Sequence, residues 1–231
     1  MSDDLFDDVK LAQLMASRLC HDLVGPLGAV SAGLELAGAA ADGGEVDADA
    51  LALAAKSAGQ LTAKLTFLRV AFGAGSGSGD PVLEARGLSE KLLANTPVVL
   101  DWGLAPGVGG DGGKAEILAK LALNMVLIGA EALARGGRLS VRLTSGEGGT
   151  APTLEIAAEG PRVMLKDELA TVLSLENGGN QGKTNDIDGV SARAIQGVFC
   201  RQLAHVLGGA LVMTRPEGGL LLRAGPLSLT A

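Results

Sequence analysis

From about Asp8 the apolar positions recur every three or four residues, the period of a helix with one buried face. Only Gly25 and Pro26 interrupt the pattern, and the glycine-rich stretch 38–44 ends it. With His21 set at zero and about 100° allowed per residue, Ala12, Ala16, Leu19, Leu23, Val30 and Leu34 fall on the opposite side. They form an apolar stripe suited to burial. Ser17, Gly25, Gly28 and Ala32 fall close to the His21 meridian. The imidazole is therefore expected to point away from the core, among residues too small to screen it. Pro26 lacks a backbone N–H and is expected to bend or locally open the helix just after His21. A second helix is expected over about 49–72, with Leu51, Leu53, Leu61, Leu65, Leu68 and Val70 as its apolar content. Two helices joined by a short loop form an antiparallel hairpin, which cannot enclose a core alone. Pairing two hairpins into a four-helix bundle is the economical solution, so a homodimer is predicted.

Residues 73–81, Gly-Ala-Gly-Ser-Gly-Ser-Gly-Asp-Pro, have the chemistry of a flexible linker. They divide the chain into a helical hairpin (1–73), a linker (74–81) and a second domain (82–231). Beyond the linker the texture alternates. Val98–Trp102, Arg138–Leu143 and Thr153–Ala158 read as strands, and Ala115–Leu133 and Val190–Leu207 as helices. Leu211–Thr214 with Leu220–Arg223 suggests a closing hairpin. The expected fold class is α+β: a helical hairpin followed by an α/β sandwich, with helices packed on one face of a sheet.

The 231 residues are enough for a substantial core. Aromatic residues make up 2% of the chain, which suits alanine-rich helices with small contact residues better than an aromatic-cored β-fold. No apolar run approaches the roughly 18–20 residues of a membrane span. The acidic start, Met1-Ser2-Asp3-Asp4, lacks the positive-then-apolar order of a secretion signal. A cytoplasmic protein without membrane association is expected. Cys20 and Cys200 lie far apart without a CxxC partner and read as reduced thiols, not as a disulfide or metal site. A net charge of −7 argues against a nucleic-acid-binding surface, leaving proteins or small molecules as partners.

Four motifs carry the chemistry. Arg18-Leu19-Cys20-His21-Asp22 resembles the H-box of two-component histidine kinases, in which the histidine accepts phosphate. Residues 124–133 followed by Gly136-Gly137-Arg138 resemble the kinase N-box and its downstream turn. Asn124 matches the first of its two asparagines; the second, a magnesium and phosphate ligand, falls on Ile128. Ala158-Glu159-Gly160-Pro161-Arg162 lies where kinases carry Asp-x-Gly-x-Gly, so Ala158 replaces the adenine-binding aspartate and Arg162 the second glycine. Gly189-Val190-Ser191-Ala192-Arg193-Ala194 lacks the Gly-x-Gly that lets backbone approach phosphates. Three nucleotide contacts are lost while the apolar frame around them stays readable, so ATP binding is not expected.

With Arg69-Val70-Ala71-Phe72-Gly73-Ala74, Leu100-Asp101-Trp102 and Gly208-Gly209, these motifs make nearly the whole chain similar to the ChpT-type histidine phosphotransferases of alphaproteobacteria. That resemblance implies a dimeric hairpin attached to a degenerate kinase ATP-binding domain. It also implies a relay. The receiver domain of a hybrid sensor kinase phosphorylates His21, which passes the group to receiver domains of response regulators; in the family these belong to a cell-cycle circuit. No cofactor is expected on this chain, and the Mg²⁺ of the reaction belongs to the receiver.

A free imidazole side chain titrates near about 6.5, so it is largely neutral and nucleophilic at cytosolic pH. His21 is the expected phosphoacceptor; the bland alternative is an ordinary surface histidine. Asp22 orients the imidazole or acts as a weak base, or is simply a solvated charge. Arg18, about a turn earlier and roughly 60° around the helix, pairs with the receiver's phosphoryl group or acidic rim, or is plainly solvated. Arg69 has the same two readings, with a bundle ion pair as its alternative. Ser17, Gly25 and Gly28 complete the expected receiver-docking face. His205, before a glycine turn, reads as a capping or packing histidine. Asp3, Asp4, Asp7 and Asp8 are favourable charge at a helix N-terminus. Residues 176–188, where a kinase keeps its ATP lid, read as a mobile loop. Two other functions compete: a non-catalytic dimeric scaffold that sequesters receivers, and an ATP-dependent histidine kinase with unusual motifs.

Overall fold

The computed structural model describes residues 2–39, 47–73, 79–109, 113–145, 151–175 and 189–229, with the side chains of 2–7 and 39 excepted. The chain opens with two helices, α1 (Ser2–Ala39) and α2 (Ala48–Phe72). Asp47 caps α2 by accepting from the N–H groups of Asp49 and Ala50, a contact typically worth about 1 kcal/mol. The helices touch through small residues. A Cβ at Gly33 would lie 2.9 Å from Ala54 Cβ, so this glycine sets their spacing.

Helix α1 continues through Pro26. The local opening expected after His21 does not occur, because a single missing N–H removes one bond of the ladder and leaves its neighbours in place. In the single chain the expected stripe is only partly covered, with Leu19 and Leu23 packed against a core shared with the second domain. Leu19, Leu23 and Val30 are only half-buried, and Ala12, Ala16 and Leu34 are exposed; among the described side chains of α1 the buried ones are Arg18, Gly33 and Ala37. Helical phase finds an apolar face, but α1 is gripped by α2 on one side and the second domain on another. That contact turns a different meridian inward.

The second domain begins with α3 (Pro81–Leu93), capped by Asp80 with proline in its first turn. It starts inside the expected linker, whose residues 74–78 lie outside the described residues. There follow β1 (Val98–Trp102), α4 (Gly113–Ala132), β2 (Gly137–Thr144), β3 (Thr153–Glu159), α5 (Asp167–Ser174), α6 (Ile195–Val206), β4 (Ala210–Thr214) and β5 (Gly219–Gly225). The sheet order is β1-β2-β3-β5-β4, with β1 parallel to β2 and every other pair antiparallel. Val141 pairs with Ile156, and Ile156 with Leu222, so strand alternation lines one face with apolar side chains. Leu118, Leu121, Met125 and Ile128 of α4 pack into the same core. The α+β class expected from the alternation is the one observed. Helices α3 and α5 were not anticipated, and α6 starts five residues after the expected Val190.

Hairpin and second domain share buried cores. Phe67, Leu68, Val70 and Ala71 at the end of α2 cluster with Ala85 and Leu88 of α3 and with Ala119, Leu123 and Leu127 of α4. Near the start of α1, Leu11, Leu14 and Met15 pack against Val172, Ala194, Ile195 and Val198. The hairpin is thus docked along the second domain at two places. No helix among the described residues is long and apolar enough to cross a membrane.

Candidate phosphoacceptor site

Midway along α1, the His21 side chain is 61% exposed. Gly25 and Gly28 lie on the same meridian, and a Cβ built on either meets no described atom within 4 Å. Ser17 is also exposed. A surface of small residues therefore surrounds the imidazole, and a large partner can approach it closely.

Beneath it lies a charged cluster. Nδ1 of His21 is 3.3 Å from Oδ1 of Asp22. Asp22 is not a solvated charge, since its side chain is only 9% exposed. Its other oxygen, Oδ2, accepts from Nε of Arg18 at 3.1 Å and faces Nζ of Lys64, on α2, at 4.0 Å. Arg18 is itself buried, and its Nη2 donates to Oε1 of Glu131 on α4. The receiver-facing role expected for Arg18 is thereby corrected. The 60° that separates it from His21 turns it inward, and two carboxylates of its own chain occupy its guanidinium. Arg69 is exposed near the end of α2.

Glu131 and Lys64 were given no role from sequence. Arg18 and Asp22 stand four apart, a spacing that signals a helical ion pair, but Glu131 is 113 residues from Arg18. Burial holds the Glu131 carboxyl above its ordinary range, opposed by Arg18, while the Asp22 charge raises it further and Lys166 and Lys64 lower it. Loss of hydration outweighs the attraction of the nearby cations.

Two of the positions aligned with nucleotide ligands belong to the core, whereas Arg162 is exposed. Ile128 and Ala158 are buried within it. Asn124 is wholly buried, and its Nδ2 donates to the carbonyls of Ala71 at 2.9 Å and Lys120 at 2.8 Å. Ala71 lies in the last turn of α2, whose carbonyls lack helical partners, so Asn124 caps one helix from another. Gln196 Nε2 donates to the Asn124 carbonyl at 3.1 Å. Residues 176–188, the expected loop, lie outside the described residues. Elsewhere Cys200 is buried, which pushes its thiol up beyond physiological titration, and Cys20 is an exposed free thiol. His205 is exposed in the last turn of α6, and its carbonyl accepts from Gly208 N–H. No group of side chains able to hold a metal ion occurs among the described residues.

The family model of the histidine phosphotransferase C-terminal domain matches residues 82–219. The protein phosphotransferase ChpT of Brucella abortus (strain 2308) is 36% identical over 155 residues, covering 65% of this chain and 68% of that protein. The solved structure of a bacterial phosphotransferase superposes with a TM-score of 0.72 at 28% identity, covering 94% of this chain and 96% of the other. An α+β chain with a helical N-terminal region, matched over more than half its length by that model, is a member of the histidine phosphotransferase family.

Proposed function

We propose that His21 is the carrier of a phosphorelay, accepting a phosphoryl group from the receiver domain of a hybrid sensor kinase and returning it to receiver domains of response regulators. The observation that carries this reading is the pairing of an exposed imidazole with a nearly buried carboxylate, 3.3 Å from Nδ1. With its proton on Nδ1 facing Asp22, the ring keeps the Nε2 lone pair toward solvent. That lone pair attacks phosphorus in the receiver's aspartyl phosphate. The N–P bond forms as the acyl O–P bond breaks, and the electron pair returns to the receiver's carboxylate. Asp22 faces the positive charge that develops on the ring. The phosphoramidate keeps a high transfer potential, so a second receiver reverses the step. Receiver and Mg²⁺ supply the electrostatic stabilisation, and this chain supplies nucleophile and position. No ATP step is assigned, in keeping with the burial of Ile128 and Ala158.

The proposed assembly is a cytoplasmic homodimer. Val24, Leu27 and Leu34 of α1, with Leu51 and Leu65 of α2, are each about half exposed or more in the single chain, Val24 reaching 66%. A second hairpin would cover them, completing a four-helix bundle. Receivers would then dock over Ser17, Gly25 and Gly28, with Arg69 at the rim. Gly28→Phe tests this face, since a Cβ there meets no described atom within 4 Å. Receiver affinity is expected to weaken by about tenfold or more, the loss of one good contact region, with the dimeric mass in solution unchanged. Unchanged affinity would move the docking face elsewhere.

The relay is tested with a phosphorylated receiver domain from which ATP has been removed. Label is expected to pass to this chain as an acid-labile, base-stable species, and labelled ATP alone is expected to give none. Receivers that bind without transferring label would point to the sequestering scaffold. Label taken directly from ATP would point to a kinase.

A further inference from the structure

Resting on the reading of His21 as the phosphoacceptor, we propose that Glu131 is a positioning residue for the transfer: acting through Arg18 and Asp22, it lets the second domain hold the imidazole in its reactive orientation.

Four groups run in series from the second domain to the reactive ring. Glu131 Oε1 on α4 accepts from Arg18 Nη2, Arg18 Nε donates to Asp22 Oδ2, and Asp22 Oδ1 faces His21 Nδ1. Arginine suits the middle of such a chain because its donors form a rigid planar fork. With Nη2 fixed by Glu131, the direction of Nε is fixed as well. That in turn orients the Asp22 carboxylate, leaving Oδ1 for the imidazole. A second cation, Lys64 Nζ on α2, lies 4.0 Å from the same Oδ2.

Charge points the same way. The cluster holds two carboxylates, Asp22 and Glu131, against Arg18 and Lys64, with Lys166 also acting on Glu131. Removing Glu131 leaves a buried guanidinium with one carboxylate to share. Asp22 is then drawn toward Arg18 and Lys64 and away from Nδ1. A neutral imidazole that loses this partner relaxes toward the Nε2–H tautomer, which has no lone pair on the nitrogen facing solvent. The second domain, in which Ile128 and Ala158 are packed into the core, would thus still serve the chemistry by holding the phosphoacceptor helix from behind.

A purely structural role would also weaken the protein, so the test must read the ring itself. The chain has two histidines, and His205 on α6 serves as an internal reference. Imidazole ¹⁵N resonances of the neutral protein are expected to show His21 mainly as the Nδ1–H tautomer. In Glu131→Ala the His21 resonances are expected to move toward Nε2–H, with those of His205 unchanged. Transfer from a phosphorylated receiver at saturation is expected to slow by about tenfold, with receiver affinity unchanged, because misorientation acts on the step and not on docking. Glu131→Gln keeps an acceptor oxygen without the charge; the same changes are expected, smaller in size. It also supplies the measurement if Glu131→Ala fails to fold.

An unchanged His21 tautomer and an unchanged saturating rate in a folded variant would overturn the proposal. A wild-type chain that accepts no label from any receiver would instead overturn the phosphoacceptor reading. The tautomer comparison would still report whether Glu131 orients the ring.

Discussion

A chain carrying His21→Ala is expected to take up no label from a phosphorylated receiver at any receiver concentration, while its stability stays within about 0.5 kcal/mol of wild type. Both halves follow from the position of the residue. The side chain is 61% exposed on a helix, and substitutions at such places rarely shift stability further. Alanine is also the better helix former. Asp22 remains paired with Arg18 through Oδ2, so no buried charge is stranded. What disappears is the imidazole exposed within the small-residue surface. Without a lone pair to attack phosphorus there is no slower version of the same step, so label should fall to background. Gel-resolved transfer under acid-sparing conditions, with a urea melt on the same sample, measures both quantities. His205→Ala is the control, expected to transfer like wild type. Label persisting on His21→Ala would place the acceptor elsewhere.

The largest effect on stability is expected from Asn124→Asp, at about 3–5 kcal/mol near pH 8, the usual cost of stranding a charge in the interior. Asparagine donates from Nδ2 to two carbonyls, Ala71 and Lys120. A carboxylate puts an oxygen in that place, facing the two carbonyl oxygens. Protonation relieves part of this, because one O–H can donate to one carbonyl. Burial raises the new carboxyl's pKa in the folded state above its unfolded value. Stability is then retained below the unfolded value and lost as pH rises through the folded one. Urea midpoints of the variant should therefore move toward wild type as the pH is lowered from 8 to 5. Asn124→Leu should cost less, about 1–3 kcal/mol. It strands the Ala71 carbonyl but removes the Asn124 Oδ1, which has no partner among the described residues. An aspartate variant within about 1 kcal/mol of wild type at pH 8 would mean that the site is hydrated and not a dry cap.

Asn124 also shows where a family resemblance helps and where it misleads. The residue matches an asparagine of the kinase N-box, and from sequence it reads as the survivor of a nucleotide site. In the structure it joins α4 to α2 through Ala71, 53 residues earlier in the chain. Its neighbours Ile128 and Ala158, read as lost ligands, are apolar and fully packed. One motif can thus keep its outline while its side chains pass from ligand binding to core.

Elements were legible in proportion to their length and period. Helix α2 and strands β2 and β3 were anticipated almost residue for residue, because several repeats of a 3.6- or 2-residue period cannot easily be mistaken. Helix α5 spans 8 residues, Asp167–Ser174, too few turns for a period to stand out. Helix α3 was passed over although Asp80 and Pro81 form a good helix start, because a glycine-serine run precedes them and masks the boundary.

What the sequence determined by itself was local: which segments are helix or strand, that the chain is α+β, and that His21 stands on an outward meridian of small residues. Those properties follow from backbone period and side-chain size, which neighbours along the chain already fix. What only the tertiary structure decided was which groups meet. Arg18 lies four residues from Asp22, yet whether it faced a receiver or the protein's interior depended on Glu131 arriving from α4. The capping of α2 by Asn124 and the core shared by hairpin and second domain were settled in the same way. A buried ion pair or cap requires two surfaces to exclude water together, and no period along one chain segment records the other surface.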